Sequence, residues 1–331
     1  MSPISPRVRF ALRAALAVLL ACLWLVLALA IVGLFYAPNT QLPDDLPGTH
    51  VVVEGTPLRV LQNGQGRDVL LIHGSPGSIE DWTPLMNTLS RSFRVTAYDR
   101  PGHGWSGDRG VYSPSANAQV ALALMERLNL RDVIVVGHSY GGAIALALAL
   151  YAPPRIGAYV ILDSSAYGSS READPLYQVL SWPVLGVGTA SVIGTFLAPS
   201  IIRKGLARSF GKRAPSEDFV ALRTRIWSAP KALHAAALET LDAQTALPSQ
   251  SRRYNELRQP VTIVGQADDA VRSTTAQRLH ADIVGSTLVL LPDTGHYVQF
   301  EKTREVADAI QRIAEGAEAP AAKDGADENP Q

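Results

Sequence analysis

Residues 133–150 read Val-Ile-Val-Val-Gly-His-Ser-Tyr-Gly-Gly-Ala-Ile-Ala-Leu-Ala-Leu-Ala-Leu. Val133–Gly137 is a continuously apolar run of strand length, as a parallel strand buried on both faces requires. Gly137-His138-Ser139-Tyr140-Gly141 matches G-x-S-x-G, and an Ala-rich helix follows from 140. Strand, sharp turn and helix are the context in which that motif holds a nucleophilic serine above a sheet. The turn strains the serine backbone, and only small residues two places before and after it avoid a clash. Ser139 would then project at a helix N-terminus, where free N–H groups favour developing negative charge.

Working outward, strand-like runs fall at His50–Val53, Leu58–Leu61, Val69–His73, Phe93–Tyr98, Tyr159–Leu162, Val261–Val264 and Thr287–Leu291. Helical patterns lie between them, near 79–90, 116–129, 140–150, 273–282 and 297–315. This alternation predicts an α/β chain with a mostly parallel sheet flanked by helices. It breaks from 164 to 259, where no strand pattern occurs, and an inserted helical lid is expected there. The catalytic domain is thus expected over 49–315.

Val69-Leu70-Leu71-Ile72-His73-Gly74-Ser75-Pro76-Gly77 is a strand ending in a loop of small residues. Such a loop points a backbone N–H at a substrate oxygen, so the N–H groups of Ser75 and Tyr140 are assigned as the oxyanion hole. His73 reads as a structural hydrogen-bonder. Among the seven histidines, only His296 follows the last strand and is flanked by glycine. A loop at that end of a parallel sheet reaches the serine, which makes His296 the expected base. Asp268, in Gly265-Gln266-Ala267-Asp268-Asp269 after the buried strand 261–264, is the expected acid that orients it. Asp269 and Asp163, which ends the preceding strand, are the other carboxylates in reach.

These motifs resemble the α/β-hydrolase family over residues 50–315. Asp99-Arg100-Pro101-Gly102-His103-Gly104, Gly265 through Asp268, and Gly295-His296 through Glu301 carry the likeness beyond the elbow. The resemblance implies an eight-stranded sheet, a lid between strands six and seven, and a serine hydrolase acting on an ester or related acyl bond. Perhydrolase, carbon–carbon bond hydrolase and, through the His-Gly-x-Pro-Gly loop, peptidase activities share the same triad. Epoxide hydrolases and haloalkane dehalogenases of the family use an aspartate where Ser139 stands. A non-catalytic binding module is the rival outside enzymology, and it should lack one of the triad residues.

The N-terminus adds a membrane element. Residues 14–37 contain no charge, and at about 1.5 Å rise per residue they span a bilayer core. Arg7, Arg9 and Arg13 precede the run and Asp44 and Asp45 follow it, so residues 1–13 are expected in the cytoplasm and the catalytic domain outside it, in the periplasm of a bacterium. The run exceeds the apolar core of a signal peptide. Residues 38–48, with Pro38, Pro43 and Pro47, read as a stiff linker, and 316–331 as a disordered tail.

Thirty basic and thirty acidic residues give no footprint for nucleic acid. Cys22 is the only cysteine, so no intrachain disulfide forms. No H-E-x-x-H or Cys/His cluster suggests a metal, and no cofactor is expected. Gly102 to Gly107 fits G-x-G-x-x-G but is followed by a turn where a dinucleotide site needs a helix. Residues 175–202 are uncharged. A single span there would separate two strands of one sheet across the membrane, so this stretch is expected to pack as a lid over the active site; a lid that also touches the bilayer surface is the alternative. The expected substrate is a small-molecule or lipid-like ester.

Overall fold

The computed structural model describes residues 5–110, 112–151, 153–168, 173–212 and 214–316. The expected tail beyond Gly316 lies outside them. The chain begins with α1 (Pro6–Phe35), then β1 (Thr49–Val53), β2 (Thr56–Asn63) and β3 (Arg67–Ile72). A 3₁₀ turn at Ile79–Trp82 leads into α2 (Thr83–Leu89), followed by β4 (Phe93–Tyr98), α3 (Pro114–Arg127), β5 (Val133–His138), α4 (Tyr140–Tyr151) and β6 (Ile156–Leu162). Five helices come next: α5 (Pro175–Leu180), α6 (Leu185–Phe196), α7 (Ala198–Ser209), α8 (Glu217–Trp227) and α9 (Pro230–Ser251). The chain returns to the sheet with β7 (Val261–Gln266), α10 (Ala270–Asp282), β8 (Thr287–Leu291), α11 (Val298–Glu301) and α12 (Thr303–Glu315).

The eight strands form one sheet in the order β1-β2-β4-β3-β5-β6-β7-β8. β1–β2 and β2–β4 pair antiparallel, and every later pair is parallel. Each expected strand is present, and the helical insertion falls between β6 and β7 as expected.

Side chains alternate across the sheet, so the central strands feed two cores. Leu70, Ile72, Val133 and Val135 pack with Ile144 and Leu148 of α4 on one face. Val69, Leu71, Ile134 and Val136 pack with Trp82, Leu85 and Ile310 on the other. Fully apolar strands are therefore the signature of a sheet covered on both sides. The insertion is tied to this body by buried ion pairs. Arg223 of α8 meets Asp81 at 3.2 Å, and Glu239 of α9 pairs with Arg100.

α1 starts earlier than the uncharged run, because Ser5 caps the helix by accepting from Val8 N–H and Pro6 fits its first turn. It is long and apolar enough to cross a membrane, by length and composition. The segment read as a linker is docked. Lys231 Nζ donates to the Asn39 carbonyl at 3.1 Å, Arg59 Nη2 donates to the Pro47 carbonyl at 2.7 Å, and Leu42 and Leu46 pack beside Trp105 and Trp227. The partners that hold it, Arg59 and Lys231, lie far away in sequence, so local composition alone reads as a spacer.

Candidate active site

Ser139 sits between β5 and α4 with φ 53°, in the left-handed region where a side chain is strained. A Cβ on Gly137 would lie 2.3 Å from the Gly141 carbonyl oxygen, and one on Gly141 would lie 2.0 Å from that of Ile72. The two elbow glycines are thus required by close backbone approach. Ser139 N–H donates to the Leu162 carbonyl at 3.0 Å, and the Ser139 carbonyl accepts from Gly142 and Ser165. The turn is fixed on all sides.

Ser139 borders two cavities. One, of about 350 Å³, is lined by Ser75, Tyr140, Tyr177, Glu239 and Leu247. The other, of about 320 Å³, is lined by Ser75, Tyr177, Ile201, Trp227 and His296. The structure therefore brings Ser75, Ser139 and His296 together. Tyr140 is the first residue of α4, so its N–H has no intrahelical acceptor.

The expected acid is not the one on the histidine. His296 Nδ1 lies 2.5 Å from Asp163 Oδ2. Asp268 is exposed, and its Oδ2 accepts from the Asp293 backbone N–H at 2.6 Å. Asp269 caps α10, accepting from Val271 and Arg272 N–H groups. The physical reason lies in strand lengths. β7 continues to Gln266, so Asp268 emerges beyond the sheet edge, whereas Asp163 directly follows β6, next to the elbow strand. Gln266 Nε2 donates to Asp163 Oδ2 at 3.0 Å, so β7 supports the carboxylate that contacts His296 and does not supply it.

Asp163 Oδ2 also accepts from Arg272 Nη1 at 2.8 Å. Burial raises the Asp163 carboxyl, and the hydrogen bond from His296, the His296 charge and Arg272 more than offset this, leaving it below the usual carboxylate range. Burial lowers the His296 imidazole; Asp163 opposes the shift, and Arg272, whose Nη1 stands 2.7 Å from Nδ1, adds to it. With Nδ1–H donated to the carboxylate, Nε2 is left as the acceptor.

His73 and His138 hold backbone groups in place. His73 Nε2 accepts from Arg100 N–H at 2.9 Å and its Nδ1–H donates to the Gly74 carbonyl at 2.8 Å, which fixes a neutral tautomer; burial pushes it well below the ordinary histidine value. His138 Nε2–H donates to the His296 carbonyl at 2.8 Å, and burial, with the neighbouring His296 second, pushes it down to about 3. Arg100 reaches from β4's exit to the His73 and Gly74 carbonyls and to Glu239, pinning the loop that carries Ser75.

Arg272, Gln266 and Glu239 had no signal in the sequence. Asp163 had one: it is the polar residue that closes an apolar strand. Among the described residues, no group of three His, Cys, Asp or Glu side chains is placed to hold a metal ion.

A family model described as alpha/beta hydrolase fold matches residues 69–303. The chain belongs to that family. It is similar to the 2-hydroxy-6-oxo-2,4-heptadienoate hydrolase of Pseudomonas putida, 29% identical over 265 residues that cover 78% of this chain and 92% of the relative. Among solved structures it resembles the esterase of Exiguobacterium antarcticum, with TM-score 0.67, 19% identity, and 81% of this chain and 100% of the other covered. It also resembles the enol-lactonase of Burkholderia xenovorans LB400, with TM-score 0.64, 21% identity and the same coverage. At these identities the structural likeness establishes the fold.

Proposed function

We propose that the protein is a membrane-anchored serine hydrolase that cleaves an ester or related acyl bond through Ser139, His296 and Asp163. The observation that carries this reading is the 2.5 Å contact between Asp163 and His296 beside a cavity shared with the strained Ser139. Ser139 Oγ adds to the acyl carbon while His296 Nε2 takes its proton. The oxyanion faces the N–H groups of Ser75 and Tyr140. His296 then protonates the leaving alcohol, an acyl-enzyme remains, and water activated by the same nitrogen releases the acid. Asp163 holds the imidazole in the required tautomer and stabilises its protonated form.

The Pseudomonas putida relative supports a second reading, carbon–carbon bond hydrolysis by the same triad. An enoate substrate is anionic, yet among the described residues the cavities bordering Ser139 carry carboxylates, Asp174 and Glu239 in one and Asp81 in the other, and no lysine or arginine. These carboxylates favour an uncharged acyl substrate. Labelling of the full chain with a fluorophosphonate probe tests the assignment. Wild type should label at Ser139 and Ser139→Ala should not, while folding equally well; labelling at another serine rejects the proposal.

α1 is proposed as an uncleaved anchor with Arg7, Arg9 and Arg13 on the cytoplasmic side. The supporting observation is that α1 is packed against α6: a Cβ on Gly188 would lie 2.0 Å from the Leu29 carbonyl oxygen. Resistance of the full chain to alkaline extraction from membranes tests the anchor.

A further inference from the structure

The helical insertion exposes an apolar face. Trp182 is 52% exposed, Phe196 75%, Leu197 56% and Ile201 59%, with Val192 beside them. Several large apolar side chains left exposed on one insertion mark a candidate interaction surface. No charge occurs from 175 to 202, and exposed Lys204 and Arg208 follow at once. α6 and α7 meet at a bend of 72°, so the face is a shallow wedge.

Three features select a bilayer as its occupant. First, the wedge is continuous with α1. Backbones approach closely where Gly188 meets Leu29 and Gly33 meets Val184: a Cβ on either glycine would lie 2.0 Å from the facing carbonyl oxygen. Leu29 lies six residues before the end of α1, which is within about 9 Å of the exit side of the helix. Second, the linker is held by Arg59 and Lys231, so the domain cannot swing away from the anchor. Third, β6 and β7 pair in parallel in one sheet, so the insertion must enter and leave on the same side.

The cavity holding Ser139 and His296 is lined by Tyr177 and Ile201, which belong to this same face. We propose that α5–α7 dock into the bilayer leaflet at the exit end of α1, and that a membrane-dissolved acyl substrate reaches Ser139 between Tyr177 and Ile201. The entry route rests on the hydrolase reading above; the docking does not.

The test uses full-length protein in phosphatidylcholine–phosphatidylglycerol vesicles. In a Cys22→Ser background, Phe196→Cys, Leu197→Cys and Val284→Cys are labelled with an environment-sensitive dye. Val284 is 80% exposed and precedes β8, at the opposite end of the sheet from Ser139. Doxyl lipids should quench the labels at 196 and 197 severalfold more than the label at 284. Equal quenching overturns the docking, as does energy transfer between labelled copies in place of lipid quenching, which would show a second copy on the face. Phe196→Asp with Leu197→Asp should lower kcat/KM for a bilayer-dissolved long-chain ester on the order of tenfold, leaving a water-soluble short ester unchanged. An equal loss on both esters overturns the entry route. A wild type that cleaves neither ester and does not label at Ser139 rejects the hydrolase reading and the entry route with it, while quenching still decides the docking.

Discussion

Asp163 and His296, 133 positions apart in the chain, are joined by a 2.5 Å contact between Oδ2 and Nδ1 at the carboxyl ends of β6 and β8. Asp163→Asn should therefore lower kcat for aryl esters by ~10³–10⁴-fold with little change in KM, because the amide favours the wrong tautomer. Asp268→Asn should stay near wild type, since its carboxylate accepts from the Asp293 backbone N–H while His296 Nδ1 contacts Asp163. Steady-state kinetics of the two variants side by side decide between the carboxylates.

The acid limb of the pH–rate profile is a second readout. Burial holds the His296 imidazole below its ordinary 6.5, with Arg272 adding to the effect. The neutral base should thus persist below that value, and activity should fall only at lower pH. Arg272→Gln removes a positive charge that disfavours the imidazolium, so the limb should move to higher pH. A limb that moves down, or stays, contradicts the electrostatic role of Arg272.

Glu239 and Arg100 are both buried, and their pair links α9 to the loop after β3. Burial raises the Glu239 carboxyl but Arg100 and His103 more than reverse this, leaving it at about 2. A depressed carboxylate contributes stability above its unfolded value of 4.5 that is lost as pH falls towards 2. Glu239→Gln should cost about 3–5 kcal/mol at neutral pH by stranding Arg100, measured by chemical denaturation. The deficit against wild type should shrink in acid.

Two truncations separate anchor from staple. A fragment starting at residue 38 keeps Leu42, Leu46 and the Pro47 carbonyl on Arg59. One starting at 49 loses them, and should be less stable by about 2–3 kcal/mol from two part-buried leucines and a charged hydrogen bond. Equal melting temperatures would return 38–48 to the status of a spacer.

The cavity lining, with Tyr177, Ile201, Ile202, Leu206 and Trp227, points to hydrophobic acyl groups. Across an ester series from acetyl to octanoyl, kcat/KM should rise, each buried methylene contributing up to about 0.8 kcal/mol. A flat or falling series removes the case for a lipid-like substrate.

The sheet was legible because each strand is a short, separate apolar run, and Ser139 because its elbow imposes glycines that close backbone approach enforces. The sequence pointed to Asp268 where the structure places Asp163 on His296, because both carboxylates follow apolar strands and differ in how far each strand runs. The strand expected to end at Val264 runs to Gln266, and that extension moves Asp268 outward. Arg272 lies on an α10 whose apolar pattern says nothing of the face turned to the site. The docking of residues 38–48 depends on Arg59 and Lys231, contacts that no local pattern encodes.

The stapled linker also changes how the enzyme's kinetics are counted. On the proposed anchoring and entry route, with Pro47 and Asn39 held against the domain, Ser139 would meet substrate by lateral diffusion in two dimensions. The governing concentration is then molecules per unit area. Diluting a lipid-dissolved substrate with inert phospholipid should slow turnover even when the bulk amounts of enzyme and substrate stay constant.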